Sequence, residues 1–274
     1  MRDNDIGPSG REGIPVQSDF NELETALLAA SRATGPAVPL PKHEPSVSGA
    51  YNIQRRLISD ARMPIMVWKL GLTGAGKREV FGASEPIVGR LCASAIYSDR
   101  SEIAYAGIEM FAEAELVFEM GQDLPLQDAP YSREDVCAAL KGIYAGIEIV
   151  RTRFASSDLT LPLLIADNSM AHGLVLGRKL AAQWDDRFTD MPVTLTRGTD
   201  EAVEGGTALV MGNPLDAVVW LANWLPKNEG CTLQREQLIA SGTCTGATEI
   251  FAGDTIRVEF DGVDAARISL RVPN

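Results

Sequence analysis

Apolar residues recur along this chain with two different periods. Leu23, Ala26, Leu27 and Ala30 repeat at helical spacing and predict a helix from Asp19 to Ala33, capped at Ser18 or Asp19. The proline-rich stretch GPAVPLPKHEP follows and predicts a loop. Ala50, Ile53, Gln54, Leu57 and Ile58 resume the helical spacing and end before Met63-Pro64. Residues 1–19 are polar, with scattered Gly and Pro, and read as a flexible tail; residues 20–62 read as a small N-terminal helical cap. From 63 to 274 strand patterns dominate and predict a β-rich domain. PIMVWKLGL and IYAGIEIV are short apolar runs, and FAEAELVFEM alternates. MPVTLTRG, GTALVMG and the pair TIRVEF and AARISLRV, joined by DGVD, predict further strands, the last two a hairpin. Two helices interrupt them. One is REDVCAALKGI, near 133–143. The other is NPLDAVVWLANWL, with Asn213 as cap, Pro214 in the first turn, and Leu215, Val218, Val219, Ala222 and Leu225 on one face. No internal repeat or low-complexity segment interrupts this order.

Composition narrows the class. With 274 residues, 45% hydrophobic and 23% charged, the chain can bury a real core. Its formal net charge of -12 argues against nucleic acid and anionic membranes as partners and otherwise serves solubility. Cys92, Cys137, Cys231 and Cys244 form no C-x-x-C pair, which speaks against structural zinc and a disulfide scaffold and for a reducing compartment. The segment MRDNDIGPSGREGIPVQSD lacks a signal-peptide core, and no window holds about 18 consecutive apolar residues. A cytoplasmic protein is expected.

The chemistry concentrates in acids. On a strand, residues two apart point to one side, so Glu113 and Glu115 in Phe111–Phe118 would project together between apolar neighbours. Paired like charges on a partly buried surface repel and resist desolvation, and a divalent cation removes that penalty. Oxygen donors favour magnesium, manganese or calcium over zinc. An exposed strand edge would also tolerate Glu-x-Glu. Glu148 is a lone acid within IYAGIEIV and needs a partner: Arg151, Arg153 or a shared metal.

These residues fall within a longer series of motifs: Ala50-Tyr51-Asn52-Ile53-Gln54, Trp68-Lys69-Leu70-Gly71-Leu72-Thr73, Glu113-Ala114-Glu115, Glu148-Ile149-Val150 with Arg153, Ala166-Asp167-Asn168, Gly212-Asn213-Pro214-Leu215-Asp216-Ala217 and Ala252-Gly253-Asp254-Thr255. In order and spacing, from about Ala50 to the C-terminus, the series resembles the 2-oxopent-4-enoate (vinylpyruvate) hydratase and 4-oxalocrotonate decarboxylase group of the fumarylacetoacetate hydrolase superfamily. The resemblance implies an α+β fold, a mixed β-roll behind the N-terminal helical cap. It implies Mg2+ or Mn2+ on Glu113, Glu115 and Glu148, a small 2-oxo acid chelated through its carboxylate and keto oxygens, Lys69 as a catalytic pocket lysine, and a homo-oligomer. Leu72, Arg153, Asn168 and Thr243 are the substrate-binding candidates it marks. Without it, Lys69 would read as a strand-end lysine reaching for water.

Two places depart from the family pattern. Ile87 stands where many hydratases carry an acid, in Glu85-Pro86-Ile87-Val88-Gly89, and Asn168-Ser169-Met170-Ala171-His172-Gly173 differs from the usual serine-containing run. Glu85 and His172 are the candidates for the missing proton relay; His172 would otherwise be a satisfied loop histidine. The expected reaction is hydration of a 2-hydroxy-2,4-dienoate to a 4-hydroxy-2-oxo acid in the catabolism of aromatic compounds. Decarboxylation of a 2-oxo-enedioate, hydrolysis of an acylpyruvate and a non-catalytic relative are the alternatives.

Gly71-Leu72-Thr73-Gly74-Ala75-Gly76-Lys77-Arg78 nearly spells a P-loop, but Arg78 replaces the Ser or Thr that would hold magnesium, and little βαβ alternation follows. Nucleotide titration should therefore give no signal in a protein that binds manganese; saturable ATP binding would reverse this.

Overall fold

The computed structural model describes residues 17–31, 37–59, 63–105, 109–128 and 130–272. The expected flexible tail over 1–19 lies outside these up to residue 16. The helices are α1 (Gln17–Ala30), α2 (Val47–Ser59), α3 (Ala75–Phe81), α4 (Arg133–Ala139), α5 (Leu161–Ala166) and α6 (Pro214–Asn228). The strands are β1 (Ile65–Gly71), β2 (Ile87–Cys92), β3 (Ile96–Ser98), β4 (Glu102–Ala104), β5 (Met110–Met120), β6 (Leu140–Arg151), β7 (Ala171–Ala181), β8 (Pro192–Arg197), β9 (Val203–Gly206), β10 (Leu238–Thr243), β11 (Thr248–Ile250), β12 (Thr255–Phe260) and β13 (Val263–Arg271).

Both N-terminal helices form, with α1 starting ahead of the expected Ser18 or Asp19 cap. The Asn213 cap of α6 is in place: its Oδ1 accepts from the Leu215 amide at 3.0 Å. Asp261 and Gly262 are both left-handed (φ 52° and 71°), the mirror-image turn that an Asp-Gly hairpin between β12 and β13 requires.

Two expectations fail. The helix expected over 133–143 stops at Ala139, because Leu140, Gly142 and Ile143 pair with Met120, Glu119 and Phe118 of β5. Gly142 disfavours helix, and it lies so close to the Tyr144 ring that a Cβ there would sit 2.7 Å from Cε2. The strand expected in GTALVMG is displaced. β9 ends at Gly206, and Thr207–Leu209 make a 3-10 turn in which Thr207 Oγ1 accepts from the Met191 amide at 2.8 Å. Left-handed Met211 and Gly212 (φ 53° and 76°) then turn the chain into α6.

An eight-stranded sheet runs β2-β1-β10-β5-β6-β7-β3, with β11 also on β5; a five-stranded sheet runs β4-β13-β12-β8-β9. One face of the larger sheet carries Ala112, Ala114, Leu116, Phe118, Ile143, Ile147 and Ile149 into the main core. The other face carries a smaller apolar cluster of Val67, Leu91, Val117, Ala171, Leu174, Leu238 and Ala240. Alternation places Glu113, Glu115 and Lys69 on that second face. No helix among the described residues is long and apolar enough to cross a membrane.

The N-terminal helices are fastened to the sheet by a polar contact as well as by packing. Gln54, fully buried on α2, donates from Nε2 to the carbonyls of Val88 (2.8 Å) and Ile165 (2.9 Å). Gln54→Ala removes both of these buried hydrogen bonds and opens a cavity, so chemical denaturation should show a loss of about 2–4 kcal/mol.

Candidate metal centre

Strand register assembles the carboxylates. Glu113 and Glu148 are direct cross-strand partners, and Glu115 follows two residues along the same face. One carboxylate oxygen from each lies within 4.8 Å of the others. Glu115 and Glu148 are fully buried, while Glu113 is half-buried and marks the outer side. β10 lies between β1 and β5, with Lys69 level with Ala240 and Ala240 level with Val117, so the lysine joins the same face. Its Nζ is 3.3 Å from Glu148 Oε1 and donates to the Ser169 carbonyl at 2.8 Å.

One ammonium cannot balance three carboxylates. Like charges directly across a ladder repel, and burial raises the carboxyl pKa values further. Glu148 is pushed up to about 7, first by burial and then by Glu113, against the pull of Lys69. Glu115 is raised well above its ordinary value by burial, then by Glu148 and Glu113. Burial also raises Glu113, opposed by Lys69 and Lys77. Lys69 itself stays charged: burial acts to lower its pKa, but Glu148, Glu113 and Glu115 outweigh it and the net shift is upward.

The oxygens are also under-satisfied. Glu115 Oε2 accepts from the Gly242 amide at 3.0 Å. Among the described residues, Glu115 Oε1 and both oxygens of Glu148 are buried without a hydrogen-bond partner, although Oε1 of Glu148 has the Lys69 ion pair. Converging, under-satisfied, hard oxygen donors at this charge density fit a divalent cation of the magnesium, manganese or calcium type. Gly242 is needed for this arrangement: its φ is 112°, and a Cβ would fall 2.1 Å from Thr73 Oγ1.

The remaining sequence candidates are distributed unevenly. Thr243 is level with Glu115 in the ladder, its Oγ1 donating to the Gly246 carbonyl at 3.1 Å. Leu72 leaves β1 in a left-handed turn (φ 56°) braced by Arg78 Nη1 on the Leu72 and Thr73 carbonyls. The Asn168 side chain is committed to strand β2, accepting from the Arg90 amide (3.0 Å) and donating to the Arg90 carbonyl (2.8 Å). Arg153 is committed to Asp167 (2.9 Å), Ser31 Oγ (2.8 Å) and the Ala171 carbonyl (3.3 Å). These two act as anchors in this structure.

His172 sits where the pairing of β7 with β6 slips, and the charges acting on it are Arg151 and Arg153, with no contribution from the three glutamates. Burial, then those arginines, push its pKa down to about 4. Glu85 is exposed, and its charge is felt by Tyr51, whose phenol is raised to about 12 chiefly by burial. Neither expected relay group is brought to the carboxylates. Ile87 is buried beside the end of β1: it pairs with Gly71, and a Cβ on Gly71 would lie 2.9 Å from both Ile87 Cγ1 and Ser169 Oγ.

Sequence reasoning missed the Gly242 amide and the Ser169 carbonyl. Asn168, Ser169 and Met170 all have left-handed φ (55°, 57°, 58°), a conformation costing an L-residue roughly 1–2 kcal/mol each. No glycine marks the turn, so residue types gave no signal for it.

Residues 75–270 match the family described as fumarylacetoacetate (FAA) hydrolase, C-terminal. The 2-keto-4-pentenoate hydratase of Paraburkholderia xenovorans (strain LB400) is 28% identical over 253 residues, covering 90% of this chain and 93% of the relative. The 2-hydroxyhexa-2,4-dienoate hydratase of Comamonas testosteroni is 27% identical over 262 residues, covering 92% and 98%. Among solved structures, 4-oxalocrotonate decarboxylase from Pseudomonas putida G7, complexed with magnesium and adipate, has a TM-score of 0.81 at 23% identity, covering 94% of this chain and 99% of that one. That likeness carries the fold.

The raised carboxyl groups make the metal-free fold pH-sensitive. A folded state that binds a proton more tightly than the unfolded chain has that stabilisation in full below the unfolded value, here 4.5, and loses it as pH rises through the folded value, about 7 for Glu148. Metal-free protein should therefore melt progressively lower between about pH 5 and pH 7.5. Added manganese should raise the melting temperature by an amount that grows with pH, since protons compete for the same oxygens. Glu148→Gln should remove most of that gain; an equal gain in the variant would contradict the assignment.

Proposed function

Because the chain belongs to the fumarylacetoacetate hydrolase family, we propose that it is a divalent-metal-dependent lyase acting on a small 2-oxo acid. The reaction we assign is hydration of a 2-hydroxy-2,4-dienoate to a 4-hydroxy-2-oxo acid in the breakdown of aromatic compounds. The observation that carries this is the set of three converging carboxylates, two of them with buried oxygens that lack hydrogen bonds, beside a buried lysine on one sheet face. The hydratase names of relatives matching about nine-tenths of the chain support the reaction type.

Glu113, Glu115 and Glu148 would hold Mg2+ or Mn2+. When bound, that ion supplies a Lewis acid for the keto and carboxylate oxygens of the substrate. Lys69, kept charged by the glutamates, would donate a hydrogen bond to an oxygen on which negative charge develops as the dienol reacts. Leu72 and Thr243 border the face at the ends of β1 and β10 and would shape the substrate's position. With Ile87 apolar and with Glu85 and His172 set apart from the carboxylates, proton delivery falls to Lys69 and to water ordered beside it. We place the enzyme in the cytoplasm as a homo-oligomer with a small-molecule partner and, given the net charge of -12, with neither nucleic acid nor membrane.

A specific observation favours decarboxylation of a 2-oxo-enedioate as the second reading. Ile87 turns an apolar side chain onto the site's face, which suits loss of a charged carboxylate as neutral carbon dioxide. Hydrolysis of an acylpyruvate ranks third, because it needs a water-activating base and His172 lies with the arginines.

Protein with manganese should be incubated with dienols, 2-oxo acids and 2-oxo-enedioates while the ultraviolet chromophore and released carbon dioxide are followed. Loss of the dienol chromophore without carbon dioxide is the expected outcome. Carbon dioxide release from the enedioate alone would move the assignment to decarboxylation. Tight manganese binding with no turnover of any compound would favour a non-catalytic relative.

A further inference from the structure

The left-handed run Asn168-Ser169-Met170 has a cause and a consequence. Such a run persists only where its surroundings impose it. Asn168 imposes it from one side by its two hydrogen bonds to the Arg90 backbone. Strand β2 receives the turn closely: a Cβ on Gly89 would fall 2.7 Å from the Asn168 carbonyl oxygen and 2.8 Å from Lys69 Cγ. The consequence is that the Ser169 carbonyl faces Lys69 Nζ at 2.8 Å, closer than Glu148 Oε1 at 3.3 Å.

A neutral carbonyl is a weak competitor for an ammonium that has three buried carboxylates beside it. Glu115 Oε1 and both Glu148 oxygens lack hydrogen bonds, and Lys69 is the cation already within reach of them. An ammonium that swung fully among those oxygens would satisfy them and occupy the place of a metal ion. What opposes this is a carbonyl fixed in position by the backbone, not by a flexible side chain.

We propose that the turn over residues 168–170 is a tether that holds the Lys69 ammonium at the edge of the carboxylate cluster and so keeps the metal position open, with Asn168 as its positioning residue. This rests on the metal site assigned above. Asn168 need not touch the ion or the substrate; it acts through the Ser169 carbonyl on Lys69.

Manganese binding measured by calorimetric titration tests the tether without reference to turnover. Asn168→Ala and Asn168→Gly should each weaken manganese binding about tenfold, the scale on which groups behind a metal's ligands act. Glycine accepts the left-handed φ without strain, so Asn168→Gly keeps the fold if Asn168→Ala does not. Adding Lys69→Met to either variant should return manganese affinity to that of Lys69→Met alone, because the internal competitor is gone. Unchanged affinity in the Asn168 variants would overturn the tether. So would a tenfold loss that persists in the Lys69→Met background, since the damage would then not pass through the lysine. A wild-type protein that binds no manganese would instead remove the metal site itself.

Discussion

Three glutamates and one lysine share a buried face of a β-sheet, and their unbalanced charge constrains everything near them. The main core lies against the other side of the same strands, where Ala112, Ala114, Leu116 and Ile147 alternate with the acids. The apolar half of each strand fixes the register, and the register then forces Glu113 opposite Glu148. The ladder fixes their backbone positions, so both acids stay on the same face whatever rotamers they adopt. The burial that stabilises the sheet is thus the same burial that raises the carboxyl pKa values and leaves oxygens unpaired. A divalent cation resolves both difficulties at once, which is the physical reason to assign one.

The periphery is arranged around that demand. Gly242 donates its amide to Glu115 from a backbone conformation that a side chain would obstruct. The Asp167–Arg153 pair, with Ser31 and the Ala171 carbonyl, fastens the segment from which the left-handed turn begins. Arg90 lends its backbone to Asn168 while its side chain pairs with Glu229 and lies over Trp68. The N-terminal helices, the first strands and α6 are linked through this one region.

Much of this was legible in the sequence, where local pattern and tertiary demand agree. Period-two alternation in FAEAELVFEM gave the strand and the shared face of Glu113 and Glu115, and the Asn213-Pro214 and Asp261-Gly262 signals gave a helix start and a hairpin. Where tertiary pairing overrode local pattern, the sequence misled: Leu140 to Ile143 join a strand because β5 is beside them. The partnership of Glu148 with Glu113 needs a register that spacing alone does not supply. Long-range contacts through backbone atoms, such as the Ser169 carbonyl on Lys69, leave no trace in residue identity at all. His172 drew notice as one of two histidines, but rarity carries no position, and the fold sets it among arginines.

The central claim is that Glu113, Glu115 and Glu148 bind one divalent cation that a 2-oxo acid can share. Anomalous diffraction from crystals grown with manganese and a non-reacting 2-oxo acid would test it most directly. The expected result is a single strong anomalous peak bounded by the three carboxylates, with the ligand's carboxylate and keto oxygens completing its coordination and Lys69 still on the Ser169 carbonyl. A peak elsewhere, or none with Lys69 filling the space between the carboxylates, would contradict it.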